Sequence, residues 1–515
     1  MITEKVGRFS NPHFNSQGYE NMKKIIPIVL ALICFAGACS KIKTKSNASH
    51  GHKTKSRDFK RAENDKNKIW KLSAQAWTFR KYTLFETIEL LEKLGIKYIE
   101  IYPGQRLNRK SKVRVSENMT DIQIAELKAK LAKSKIKPVA FGVVSLPAKN
   151  RKQCRKVFLF AQKLGIKMIL SEPVPTKKHF DFLEKLTEKN QINLAIHNHP
   201  KPSRYWKPQA VLRAVKGRSL RLGAAADTGH WVRSGLDPIK CLKQLEGRIL
   251  HVHFKDLNRA TRRGAKDVPW GTGISQAKAQ LAELRRQNFT GYISMEYEAN
   301  WSLRDLKKCV RFFRKQTKKF SKIKPAWQTL FDGENLNNFT SSRKGWALEN
   351  GTIAWRKGAG FLWSKKQYKN FVLDLEVKTA PEANSGIFLR ASSKRNWLHS
   401  SIEVQVLDKK KSDSSTHIAG AFYDLQAPRK NAFRKAGLWN RYVITCKENF
   451  ITVVLNDEFV NRINLNRWSQ AHLNPDGTPN KFNRAIRDLP RTGFIGLQDH
   501  NSKVWYRNIR IRELD

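Results

Sequence analysis

The chain has 515 residues, a hydrophobic content of 40% and 14 tryptophans, which exclude wholesale disorder and exceed the size of one ordinary domain. Its 99 Lys and Arg against 43 Asp and Glu leave a formal net charge of +56. These basic residues are spread along the whole chain with no stripe interleaved with stacking aromatics, so a nucleic-acid groove is not expected.

In chain order, residues 1–39 read as an address. Lys23 and Lys24 precede the apolar run Ile25 to Phe35, which ends in Ala36-Gly37-Ala38-Cys39. The run is too short to span a bilayer comfortably. It resembles a bacterial lipoprotein signal. That resemblance implies that Met22 is the start, that Cys39 is the lipidated first residue, and that the protein sits in the periplasm or at the cell surface, its only membrane partner reached through the lipid anchor. Residues 40–68 are polar and Lys-rich and read as a flexible tether. The remaining cysteines show no metal-type spacing, and Cys154, Cys241 and Cys309 read as buried free thiols in helices.

From Trp70 to Phe320, short apolar runs alternate with amphipathic ones. Strands are predicted to begin near Trp70, Ile96, Pro138, Ile166, Ile192, Leu220, Ile249 and Tyr292. Between them lie helical patterns such as Leu84-Ile88-Leu91-Leu94 and the run from Lys152 to Leu164. Eight such units predict a (β/α)8 TIM barrel over residues 69–320, in which polar residues at the C-terminal strand ends carry chemistry. Those residues are Glu100, Glu172, His197-Asn198-His199, Asp227 and His230, His251 to Asp256, and Glu296-Tyr297-Glu298. Carboxylates and imidazoles converging on one mouth predict a divalent metal site for Mn, Mg, Co or Zn.

The motifs D-x-x-H at Asp227–His230, H-x-K-D at His253–Asp256, P-W-G-T-G at Pro269–Gly273 and Ile293-Ser294-Met295-Glu296 resemble those of sugar phosphate isomerase/epimerase, or xylose isomerase-like, barrels. The resemblance implies that Asp227, His253 and Glu296 hold the metal. In that family a Glu from strand five completes the set, and here His197 stands in its place. A histidine can ligate but removes one negative charge and one candidate base, for which Glu172 is the compensating carboxylate. Glu172 and Glu296 are therefore the expected catalytic groups, with Glu100, His199, His230 and Lys255 expected to bind substrate. The abasic-site endonucleases of the same fold hold three metals with more ligands than this chain assigns.

After a short basic linker, residues 326–515 carry turn signals at Asp332-Gly333, Glu349-Asn350-Gly351, Asn456-Asp457 and Pro475-Asp476-Gly477. Alternating runs such as Phe371–Val377, Glu403–Val406 and Ile451–Leu455 between them predict a β-sandwich or jelly roll. The ordered set Leu330–Gly333, Asn384–Arg390, Glu403–Asp408, Trp439–Tyr442, Gly496–His500 and Trp505–Ile511 is similar to 3-keto-disaccharide hydrolase domains, whose fold is concanavalin-like. Two-residue periodicity puts Glu403 and Gln405 on one strand face. They are expected to line a concave pocket as catalytic groups together with Asp499 and His500, while Asn384 and Arg390 bind substrate. The competing expectation is a glycan-binding module with Trp346, Trp355, Trp363 and Trp397 as an exposed platform.

Both resemblances imply a small carbohydrate or oligosaccharide substrate. Proton abstraction next to the carbonyl of a 3-keto sugar leads either to epimerisation or isomerisation, or to β-elimination of the glycosidic oxygen. An extracytoplasmic location argues against phosphosugars. Fusion of the two domains is expected to keep an intermediate close to both.

Overall fold

The structure, a computed structural model, describes residues 69–260, 264–341, 343, 345–408 and 415–515. Cys39 and the segments 1–39 and 40–68 lie outside the described residues. Among those described, no helix is long and apolar enough to cross a membrane, and Cys154, Cys241, Cys309 and Cys446 are free and buried.

Eight parallel strands close a barrel: β1 (Lys71–Gln75), β2 (Tyr98–Ile101), β3 (Lys137–Phe141), β4 (Met168–Ser171), β5 (Asn193–His197), β6 (Leu222–Asp227), β7 (Ile249–Phe254) and β8 (Tyr292–Met295). β8 returns to β1, and each strand begins within two residues of its predicted start. The helix Leu84–Leu94 shows why the pattern was readable. Leu84, Ile88, Leu91 and Leu94 are its buried stripe, Thr83 and Glu86 form a capping box, and Gly95 ends it in the left-handed conformation.

The C-terminal half is a two-sheet sandwich. A five-stranded sheet runs in the order Phe339–Ser341, Leu362–Ser364, Phe494–Leu497, Asn384–Ala391, Ile402–Leu407. An eight-stranded sheet faces it, with Val504–Glu513, Phe371–Thr379 and Trp439–Lys447 at its centre. Two-residue hairpins at Asn350-Gly351 and Asn456-Asp457 have positive φ at both positions, as a right-twisted hairpin requires. The core lies between the sheets, where Leu373, Leu375 and Val377 meet Ile387, Leu389, Val404 and Val406.

Barrel and sandwich belong to one compact unit. The outer face of the larger sheet carries Asp374, Glu376, Arg441, Arg507 and Arg510, and this face meets the barrel. Arg507 donates to Glu376 at 2.7 Å and to Glu188, on the helix Lys177–Asn190, at 3.0 and 3.1 Å. Arg434 forks onto Glu184 of the same helix at 2.8 and 2.9 Å. Arg248, just before β7, reaches Asp457 at 2.9 Å, and the Leu220 N–H, just before β6, donates to Glu376 at 2.9 Å. These barrel partners lie at the N-terminal ends of the strands. The sandwich therefore caps the barrel floor, and the outer face of its smaller sheet points away from the barrel.

Candidate functional site

His197 closes β5, Asp227 closes β6, His253 is the penultimate residue of β7, and Glu296 follows β8. All four are buried and offer one donor atom each within 4.8 Å of the others. The groups behind the histidines set which nitrogen faces the shared point. His197 Nδ1 lies 3.3 Å from Glu172 Oε1, turning Nε2 toward Asp227 Oδ2 at 3.7 Å. His253 Nε2 lies 2.9 and 3.0 Å from the two oxygens of Glu100, turning Nδ1 toward Glu296 Oε2 at 2.9 Å. His197 Nε2, His253 Nδ1 and Glu296 Oε2 are all buried with no aligned hydrogen-bond partner. Carboxylates orienting imidazoles from behind, with unpartnered lone pairs in front, suit a mixed nitrogen and oxygen set for a divalent metal.

Asn198 anchors the arrangement. Its amide receives the Asp227 N–H at 2.8 Å and donates to the Asp227 carbonyl at 2.9 Å, while Asp227 caps the helix Thr228–Arg233 through the His230 N–H. Lys255 is wholly buried, with Nζ 2.8 Å from Asp227, 3.0 Å from Glu296 and 3.3 Å from both Glu298 and His230 Nε2. Burial works against its charge, yet Asp227, Glu296 and Glu298 raise its pKa above the ordinary lysine range. Burial pushes the His230 imidazole well down.

Two expectations need correction. Glu100 does not reach the mouth to bind substrate. It is fully buried in the barrel interior, its carboxylate shared by Gln75, His251, His253 and Ser294. Burial favours its protonation, but His253 and His251 hold it far below the usual carboxylate range. Glu172 does not enter the four-donor cluster. It accepts from His199 Nδ1 at 2.5 Å, the His199 N–H at 3.1 Å and Ser203 at 3.0 Å as well as facing His197. His199 is the half-exposed imidazole on the open side, its ring centroid 4.5 Å from that of His197. Sequence reasoning gives no role to Gln75, Arg233, Asp267 or Ser294. Gln75 ends β1, so the same strand-end signal marks it.

The smaller sheet's outer face forms a second cluster. Pairing of Gly386 with Gln405 and of Phe388 with Glu403 puts Asn384, Gly386, Phe388, Glu403 and Gln405 on that face. Glu403 and Gln405 are buried, and Gln405 donates to Asn384 at 3.1 Å. Gln405 Oε1 and Gln498 Oε1 are buried without partners. Burial pushes the Glu403 carboxyl up, opposed by Lys481 3.5 Å away. Phe361, Trp363, Phe388, Trp397 and Phe494 form an aromatic cluster beside these polar groups.

The expected pocket set is corrected here too. Arg390 donates to the carbonyls of Lys369 at 2.7 Å and Glu448 at 2.6 Å and to Asn370 at 3.2 Å, a structural tie away from Glu403. Asp499 is occupied by Trp355 Nε1 at 2.5 Å and the Gly360 N–H at 2.8 Å, and His500 is exposed on the following turn. None of the four tryptophans of the expected exposed platform is exposed: Trp346 and Trp363 are buried, Trp355 and Trp397 are partly buried, and Trp346 donates to the Gly360 carbonyl at 2.7 Å.

Comparison with known families identifies a carbohydrate-processing enzyme built from two unlike parts. Residues 88–316 belong to the xylose isomerase-like TIM barrels, and residues 326–512 to the 3-keto-alpha-glucoside-1,2-lyase-like domains. A 3-keto-disaccharide hydrolase of Bacteroides thetaiotaomicron is 28% identical over 228 residues, 36% of this chain and 78% of the relative. An inosose dehydratase of Mesomycoplasma hyopneumoniae is 23% identical over 197 residues, 30% of this chain and 65% of that relative's length. An uncharacterized protein of known structure from Parabacteroides distasonis is 35% identical, the match covering 48% of this chain and 99% of that one with a TM-score of 0.41.

Proposed function

We propose that the barrel is a metal-dependent enzyme acting by proton transfer next to the carbonyl of a keto-sugar, and that the sandwich cleaves 3-keto-glycosides. The observation carrying the first part is the convergence of buried donor atoms from His197, His253 and Glu296 on Asp227, all within 4.8 Å of one another. A divalent ion held by these four side chains would supply the charge that acidifies a carbon-bound proton beside a carbonyl. Glu296 faces the same point, its Oε2 2.9 Å from His253 Nδ1 and 3.0 Å from Lys255 Nζ, and its carboxylate can accept that proton with Lys255 beside it as a fixed donor. His199, on the open side, and His230 offer imidazoles to sugar hydroxyls. Isomerisation, epimerisation and β-elimination all begin with this step.

The sandwich reading is supported by its similarity to the Bacteroides hydrolase and by buried Glu403, flanked by the amides of Gln405 and Gln498. One second reading, a sandwich that binds glycan without cleaving it, rests on the partly exposed rings of Phe361, Trp397 and Phe494. Export through a lipidated Cys39 belongs to the same proposal, supported by the apolar run and the small residues before that cysteine. A Cys39→Ser chain should leave the membrane fraction, and one that stays there refutes the anchor.

The decisive test is purified protein with 3-keto-glucosides and a keto-inositol, before and after chelation, with bound metal quantified. One ion per chain is expected, together with a barrel activity that chelation abolishes and Mn, Co or Zn restores. Protein that takes up no metal, or turns over equally after chelation, refutes the barrel reading. Cleavage of 3-keto-glucoside should fall in Glu403→Gln by about 10²–10⁴-fold, the usual contribution of an acid–base group. Unchanged cleavage would leave the sandwich as a binding module.

A further inference from the structure

Lys481 lies on no strand, and the sequence pattern assigns it nothing. The structure nevertheless carries it to the outer face of the smaller sheet. Its loop is pinned by hydrogen bonds between His472 and Phe482 at 2.7 Å, Asn480 and His472 at 2.9 Å, and the Asn474 and Asn480 side chains at 3.1 Å. The Lys481 N–H itself donates to Asp424 at 2.6 Å. Its ammonium ends over the rings of Tyr423, 4.4 Å from the centroid, and Phe482, at 5.3 Å. Among the described residues its carboxylate partner is Glu403, 3.5 Å away, at the outer limit of a hydrogen bond.

A buried acid and a nearly buried ammonium in direct, tight contact would read as a structural ion pair. Here the contact is long, and the surrounding groups are also unsatisfied. Gln405 Oε1 and Gln498 Oε1 are buried on the same face with no partner. Buried polar atoms are nearly always paired, so two adjacent amides with unpartnered oxygens beside Glu403 and Lys481 point to a polyhydroxylated ligand. Gly386 completes the opening, because a Cβ there would collide with the Glu403 carboxylate. Of the neighbouring aromatic cluster, Phe361, Trp397 and Phe494 are partly exposed and can meet a sugar ring, while Trp363 and Phe388 are buried.

We propose that Lys481 is a catalytic residue of the sandwich, its ammonium binding the carbonyl oxygen of a keto-sugar whose adjacent carbon-bound proton faces Glu403. This rests on the reading of the sandwich as a keto-glycoside-cleaving domain. Glu403 takes the proton from the carbon next to the carbonyl, and the C–H electron pair becomes an enolate whose oxygen Lys481 holds. That pair then forms the carbon–carbon double bond as the glycosidic C–O bond breaks. The leaving oxygen collects the proton from Glu403. The products are an unsaturated keto-sugar and an alcohol, and no oxidant or reductant is consumed.

The test uses full-length chain in an Asp227→Asn background, so that cleavage comes from the sandwich, with a nitrophenyl 3-keto-glucoside as probe. Exchange of the proton beside the carbonyl into heavy water is followed by NMR. Lys481→Met should lower kcat by about 10²–10³-fold, the range for removing one donor to a developing oxyanion, with KM little changed. Proton exchange should fall with it, and Lys481→Arg should restore part of both. If Lys481→Met misfolds, Lys481→Gln against Lys481→Arg carries the same comparison. Near-parental cleavage and exchange in the Lys481 variants, with loss in Glu403→Gln, would overturn the role of Lys481 alone. A parent that cleaves no probe, or full activity in Glu403→Gln, would overturn the sandwich reading and this inference with it.

Discussion

In the proposed metal site Glu172 acts through His197. Its carboxylate fixes His197 Nδ1 and the backbone and ring of His199, so it decides which lone pair His197 turns inward. Removing such a backing carboxylate typically costs 10–100-fold in metal affinity. Glu172→Gln should therefore weaken binding by about that factor in a chelator competition, and unchanged affinity would mean that His197 is not a ligand. Asp267 offers a different single-residue test. Its Oδ2 accepts from Arg233 at 3.1 Å and from the N–H groups of Glu298 and Ala299, while Oδ1 is buried with no partner. Burial, with the charge of Glu298, pushes its carboxyl up to about 6 despite Lys255 and Arg233. A carboxyl with a raised folded pKa contributes stability that is full below its unfolded pKa, about 4, and is lost as pH rises through the folded value. Asp267→Asn stays neutral throughout. Its melting temperature relative to wild type should thus become more favourable between about pH 4 and pH 6. A difference that stays flat over that interval would show that Asp267 titrates normally.

The barrel strands were legible because their period and strand ends obey simple rules, and every member of the four-donor cluster sits where those rules look. Arg390 was misread because a β-bulge falls between Phe388 and Ala391. Strict alternation would put Arg390 beside Phe388 on the outer face, but its φ of 53° turns the guanidinium toward Lys369 and Glu448. Asp499 and His500 follow a strand that ends at Leu497, so no periodicity governed them. Lys481 was invisible because its place depends on a loop folding back over a distant strand. Gly386 could be quoted as part of a motif, but only the pairing with Gln405 shows that the strand needs a bare position under Glu403. Gly386→Ala should displace that carboxylate. An overpacking cost of about 1–3 kcal/mol is expected in denaturant unfolding, together with loss of keto-glucoside cleavage. Full activity in this variant would mean that Glu403 is free to move without consequence.

At the scale of the molecule, the charged face between the two halves decides what fusion can do. Arg507 stacks over Trp439 at 3.8 Å while satisfying both Glu188 and Glu376. Breaking a buried ion pair by removing one partner costs about 3–5 kcal/mol, so Arg507→Met should loosen the junction and speed proteolysis of the 321–325 linker. The same junction bears on the expectation that fusion keeps an intermediate close to both domains, because it sets the two clusters on opposite sides. The barrel cluster lies at the C-terminal strand ends, the sandwich covers the opposite end, and Glu403 lies one sheet further out. With both clusters active as proposed, a product leaving either mouth would enter bulk solvent before meeting the other. An equimolar mixture of Asp227→Asn and Glu403→Gln chains should therefore match wild type, at equal concentrations of each intact site, in any sequence that uses both activities. The time course of product formation would show the same lag in both samples. A wild-type chain with a shorter lag than the mixture would mean that substrate passes along the protein surface, and that the opposed placement of the sites does not isolate them.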